Sequence, residues 1–148
     1  MDNMPIIEGT IPSERVELIL SMHSGNNFAR LLGIKITALG EGFCRLSMEP
    51  GGVCANPYGG VHGGVTATLA DIAMGIAIRA LGLQPVTLEL TVNYLGSVQP
   101  GEELTAEGRV IHRGRTFQLS ESEIYTAGGT VVARGRGLFT IRKTLGNN

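Results

Sequence analysis

One stretch limits what this chain can fold into more than any other. From Val65 to Leu81 nearly every side chain is apolar or small, broken only by two threonines, Asp71 and Arg79. A glycine-rich lead precedes it, Asn56-Pro57-Tyr58-Gly59-Gly60-Val61-His62-Gly63-Gly64. The pattern predicts a helix over about 62–81, closed by Gly82, with Pro85 preventing its return. Such a helix is apolar nearly all round, and one sheet covers only one side of it. Either the sheet curls around it or a second subunit covers the rest. Two ionisable residues and many Gly, Ala and Thr argue against a membrane span. A carboxylate among such neighbours is costly unless it is paired, hydrated or used, so Asp71 is a functional candidate.

The remaining segments supply the cover. Residues 12–23 read as a short amphipathic helix with Ser13 as N-cap and Val16, Leu18, Ile19 and Met22 on its apolar side. Asn26 or Asn27 caps a further turn from Phe28 to Leu32, stopped by Gly33. Lys35 to Glu49 reads as extended. Four strand-like runs follow the helix: 86–95, 104–112, 116–126 and 130–142. Turns at Pro100-Gly101, Arg113-Gly114 and Gly128-Gly129 separate them. In the first run Val86, Leu88, Leu90, Val92 and Tyr94 alternate with Thr87, Glu89, Thr91 and Asn93. Consecutive strands with short turns predict an antiparallel meander, and one sheet on one helix predicts an α+β class.

At 148 residues the chain is expected to be one domain, 1–148, with its core at about 28–142 and an N-terminal helical extension at 12–23. A net charge of -1 with 17% charged residues gives no global field for nucleic acid or a membrane surface. Trp is absent and aromatics are few, which argues against a base-stacking surface. Cys44 and Cys54 make no disulfide framework, and no Cys/His cluster has zinc spacing. Met1 to Thr10 lacks a basic start and an apolar signal core, so a cytoplasmic protein is expected.

The helix presents two stripes. Val65, Leu69, Ile72 and Ile76 form an ordinary core stripe. Gly64, Thr68, Asp71 and Gly75 form a small, polar one. It suits either helix packing, with Asp71 bonded to a threonine, or a closely approaching ligand, and spacing alone does not choose. Gly63 and Gly64 lie where N–H groups are unpaired and the helix dipole is positive, so they could hold a carbonyl oxygen as charge develops on it. Gly63 and Asp71 are separated by about 12 Å along the helix. If both act on one carbonyl they come from different subunits, facing across a two-fold axis.

The spacing of Asn56, His62-Gly63-Gly64 and Asp71 resembles that of the hotdog-fold thioesterases of the phenylacetate-pathway family, and the resemblance runs from about Phe28 to Ile141. It implies a hotdog fold, an antiparallel sheet wrapped around a long central helix. It also implies hydrolysis of an acyl-CoA, aryl or medium-chain, at the interface of a homodimer that pairs into a homotetramer. By position, Asp71 would be general base or nucleophile, and the Gly63 N–H would polarise the thioester carbonyl. Asn56 would position water or thioester from across the interface, and Thr87 would help hold the water. His62 and Gly64 would border the substrate, with His62 mainly orienting the loop. Coenzyme A calls for a basic rim, for which Arg113 and Arg115 are first choice and Arg134 and Arg136 second. Tyr58, Phe28 and Met74 are candidates for the acyl pocket. No metal is expected, and no cofactor beyond the coenzyme A of the substrate. A hydratase or dehydratase of the same fold, acting on an enoyl or 3-hydroxyacyl thioester, is the alternative enzyme. A non-catalytic acyl-CoA-binding module is the alternative without chemistry.

Overall fold

The computed structural model describes residues 3–146; residues 1, 2, 147 and 148, at the ends of the expected domain, lie outside the described part. Strand β1 (Ile6–Glu8) leads to helix α1 (Ser13–Ser24) and helix α2 (Asn27–Leu31). Strands β2 (Lys35–Gly40) and β3 (Phe43–Met48) follow, then a single 3-10 turn at Gly52–Cys54 and the central helix α3 (Gly63–Arg79). Strands β4 (Leu83–Tyr94), β5 (Leu104–Arg113), β6 (Phe117–Thr126) and β7 (Val131–Thr144) complete the chain. They form one seven-stranded sheet in the order β1-β2-β3-β5-β6-β7-β4. All pairs are antiparallel except β1 with β2. The sheet curls around α3, which gives the α+β, sheet-around-helix class that the sequence predicts.

Four expectations need correction. Residues 35–49 are a hairpin rather than one extended run, because Gly42, at φ 69°, turns the chain between β2 and β3. The four strands after α3 are not a simple meander. β4 pairs with β7 and stands at the sheet edge, while β5 takes its place beside β3. Pro85, read as a breaker, lies inside β4, at a bulge where the pairing with β7 shifts register. Ser13 is the first residue of α1 instead of its cap; Pro12 holds the cap position and no side chain caps that end. At α2 the side chain of Asn26 accepts from the Ala29 N–H at 3.1 Å.

The core lies between α3 and the inner face of the sheet. Leu69, Ala70, Ala73, Met74, Ala77 and Ile78 are completely buried, as are Cys44, Leu46, Leu104, Ala106 and Ile124 opposite. Burying each larger aliphatic side chain stabilises the fold by roughly 1.5–3 kcal/mol. Helix and sheet approach closely because two positions carry no side chain. A Cβ on Gly108 would run into the backbone carbonyl of Ala73, and one on Gly135 would lie 3.3 Å from Ala70 Cβ. Val16 and Ile19 of α1 join the same hydrophobic cluster.

Candidate functional site

The face of α3 beside the β4 edge of the sheet borders a cleft of about 440 Å³. Thr68, Asp71 and Gly75 of the polar stripe lie along it, with Ile72 between them and Arg79 at the end of the helix. Phe28 of α2 and Pro85, Thr87 and Leu90 of β4 form other walls. Asp71 is half-buried in the single chain. The Thr87 hydroxyl donates to Asp71 Oδ1 at 2.8 Å, so the threonine that meets the carboxylate comes from the sheet. The threonine of its own stripe, Thr68, instead donates back to the Gly64 carbonyl at 2.9 Å.

A bulge brings Thr87 there. The pairing of β4 with β7 shifts between Thr87 and Glu89, so Leu88 is the extra residue. One inserted residue reverses the alternation. Beyond the bulge Leu90 and Val92 pack on the core, and the Tyr94 hydroxyl reaches the start of α3. Before it, Pro85 and Thr87 face the same side. The plain alternation read from the sequence, with Val86 and Leu88 on the face of Leu90, therefore fails at this point. Leu88 is 52% exposed.

At the N-terminal end of α3, His62 is the cap. Its Nδ1 accepts from the Gly64 N–H at 3.1 Å, and the His62 backbone N–H donates to the Cys54 carbonyl at 2.7 Å. The Gly64 amide is thereby taken. The Gly63 N–H, the first of the helix, has no partner among the described residues. The Tyr94 hydroxyl donates to the Gly63 carbonyl at 2.7 Å and its ring packs beside Gly63, where a Cβ would come within 3.2 Å of it. Asn56 organises the preceding loop. Its Oδ1 accepts from the N–H groups of Tyr58 (2.9 Å) and Gly60 (3.2 Å), while its NH2 donates to no protein group among the described residues.

Within one chain, then, Asp71 and Thr87 meet, whereas Gly63, Gly64, His62 and Asn56 gather at the other end of the helix segment. Of the acyl-pocket candidates, Phe28 borders the cleft and Tyr58 is 96% exposed on the glycine-rich loop. Met74 does not fit that role: it is completely buried under α3, with its Cε against Gly135 and Gly137. Arg113 is ion-paired to Glu41 at 3.0 Å at the exposed end of β5, and Arg115 is exposed at the hairpin tip. Arg134 and Arg136 pair across strands with Glu123 (3.0 Å) and Glu121 (2.6 Å). They form a charged ladder on the outer sheet face.

Two residues carry more than the sequence assigned them. Tyr94 was readable only as a strand residue; its bond to Gly63 spans 31 positions. Arg79 was visible as an interruption of the apolar run, and no pattern gave it a task. Burial lowers its pKa from the usual guanidinium value, against the opposing effects of Asp71 and Cys44. Burial pushes the Cys44 thiol well up, which leaves it an inert core group. Among the described residues no cluster of His, Cys, Asp and Glu could hold a metal, and no helix is long and apolar enough to cross a membrane.

Residues 58–133 match the family model of the thioesterase superfamily. The chain is 32% identical over 117 residues to the acyl-coenzyme A thioesterase PaaI of Escherichia coli, covering 79% of this chain and 84% of that protein. It is 31% identical over 127 residues to human acyl-coenzyme A thioesterase 13, covering 81% and 89%. Among solved structures, the E. coli PaaI protein from the phenylacetic acid degradation operon superposes with a TM-score of 0.87 at 27% identity, covering 92% of this chain and 99% of that one. A hypothetical thioesterase protein of Streptococcus pneumoniae, solved with coenzyme A, superposes with a TM-score of 0.74 at 28% identity, covering 76% and 90%.

Proposed function

Because the chain belongs to the thioesterase superfamily, we propose that it hydrolyses an acyl-CoA, aryl or medium-chain, to the free acid and coenzyme A. The observation that carries this reading is the Asp71–Thr87 hydrogen bond on the wall of the cleft beside α3. Asp71 serves as base or nucleophile, and Thr87 fixes the carboxylate and the attacking water. In the base route Asp71 takes a proton from water as the oxygen bonds to the thioester carbon. The carbonyl oxygen gains negative charge and is held by an open helix-start amide, that of Gly63. Collapse of this intermediate breaks the C–S bond and expels the thiolate of coenzyme A, which takes up the proton.

A second copy of the chain completes the site. β4 is an edge strand of 12 residues with Val86, Leu88 and Tyr94 exposed, an edge that soluble proteins seldom leave open. Antiparallel pairing of two β4 strands about a two-fold axis at Thr91 sets the Thr87–Leu88 bulge opposite the partner subunit's Tyr94. Thr87 holds Asp71 and Tyr94 holds Gly63, so this register draws Asp71 of one chain towards the Gly63 amide of the other. The NH2 of Asn56 enters from the same side. The homodimer has two such sites and pairs further into a tetramer.

Thiol release from a panel of aryl, short and long acyl-CoA esters tests the activity. Wild type releases coenzyme A and Asp71→Ala does not; equal release by both would overturn the reading. Conversion of an enoyl thioester without thiol release would assign the chain to the hydratases instead. The shared site is tested by mixing. Asn56→Asp keeps the oxygen that the loop uses and removes the donor. Refolded together, inactive Asp71→Ala and Asn56→Asp chains should recover about a quarter of wild-type activity, since half of the dimers are mixed and each has one intact site. No recovery would place both residues in one chain's site.

A further inference from the structure

Among the described residues Arg79 is the one cation lining the Asp71 cleft, and the thioester chemistry leaves it without a task. Its Nε is buried, and it makes no hydrogen bond or ion pair with any described residue. Asp71, the carboxylate of the same cleft, is engaged by Thr87 instead. Burial of this guanidinium is offset only by the longer-range attraction of Asp71 and Cys44, with no hydrogen bond to the buried Nε, and an oxyanion docking on it recovers the rest of the cost.

The cleft defines where that oxyanion lies. Asp71 and Arg79 are eight residues apart, about 12 Å along the axis. Helical side chains lean towards the N-terminus, so the long Arg79 stem spans part of this gap in the direction of Asp71. Between them lies Gly75, where a Cβ would meet nothing within 4 Å. Glycine within a helix destabilises it by about 0.5–1 kcal/mol relative to alanine, and here no packing neighbour requires it. Ile72, Leu90 and Phe139 give the middle of the cleft apolar walls. The sequence of surfaces is therefore carboxylate, open apolar floor, cation.

We propose that Arg79 is a specificity-determining residue that binds a carboxylate at the far end of the acyl chain, so that the preferred substrates are ω-carboxyacyl-CoA esters of short to medium length. The carbonyl end lies at Asp71, the methylenes cross Gly75, and the terminal carboxylate takes the guanidinium fork. This inference rests on the reading of Asp71 as the mark of the thioester carbonyl. A phosphate of coenzyme A carries the same charge chemistry, but it calls for a cation at the rim instead of one on the wall of the acyl cleft.

The test compares kcat/KM for glutaryl- and adipyl-CoA with that for pentanoyl- and hexanoyl-CoA, in wild type, Arg79→Met and Arg79→Lys. The ratio of carboxyacyl to neutral acyl should fall at least about tenfold in Arg79→Met, mainly through KM, and be partly kept in Arg79→Lys. An unchanged ratio overturns the proposal. So does an equal rise in KM for both classes that disappears with dephospho-CoA esters, which would assign Arg79 to the coenzyme. Calorimetry with non-hydrolysable carboxyalkyl- and alkyl-CoA thioethers gives the same comparison without turnover. A wild type that binds them with the expected preference yet releases no thiol breaks the thioesterase reading alone. One that hydrolyses only neutral esters breaks this inference alone.

Discussion

Along α3, Ala70, Ala73, Met74 and Ala77 lie against the sheet, while Thr68, Asp71, Gly75 and Arg79 lie along the cleft. Both faces are built largely from small residues, and smallness serves opposite ends on them. On the sheet side it closes space: Gly108 lets its strand approach the α3 backbone at Ala73, and the room beside Gly135 is filled by the side chains of Ser122, Ala70 and Met74. On the cleft side it keeps space open, since nothing lies within 4 Å of where a Gly75 side chain would start. Polar groups follow the same division. The cleft face carries a carboxylate bonded to a hydroxyl and a guanidinium whose buried Nε has no hydrogen-bond partner among the described residues. A helix otherwise apolar all round thus has one face for stability and one for chemistry.

Substitutions on each face should separate these roles. The largest effect is expected for Asp71→Ala, which should lower kcat by about 10²–10⁴-fold while thermal melting moves little. A large loss of stability with full residual turnover would reverse the assignment of the faces. Gly108→Ala acts on the other side. Its Cβ meets the Ala73 carbonyl, so the urea midpoint should drop by the equivalent of about 1–3 kcal/mol. Thr87→Val keeps shape and removes the bond to Asp71. A fall in kcat of roughly tenfold is expected, with the fold intact by circular dichroism. The smallest effect sharpens the contrast most. Gly75→Ala should raise stability by about 0.5–1 kcal/mol and also raise KM, because its methyl group enters the cleft. If Gly75→Ala instead destabilised the protein as Gly108→Ala does, the two faces would not differ as described.

Much of this was readable locally. The apolar run, its glycine start and its stop at Gly82 defined α3 to within two residues at each end, because helix periodicity and capping act within a few positions of the chain. The polar stripe was legible for the same reason, and three of its members line the cleft. His62 as the organiser of the loop follows from one short-range bond to Gly64. Met74 shows the limit of this kind of reading. A methionine one turn from Asp71 is an equally good candidate for core or pocket, and only the position of β7 puts it in the core.

Sequence by itself determined that a long apolar helix had to be wrapped, and that an acid, a glycine-rich helix start and a set of strands surround it. Tertiary structure decided which strand stands at the edge, that β1 runs parallel to β2, and that a bulge at Leu88 turns Thr87 to face Asp71. The reason lies in the range of the forces involved. Helical hydrogen bonds close between neighbours four residues apart, whereas β4 finds β7 across some fifty residues and the Tyr94–Gly63 bond spans 31 positions. A single unpaired residue in such a ladder moves every side chain before it to the opposite face, and no local pattern in β4 encodes it.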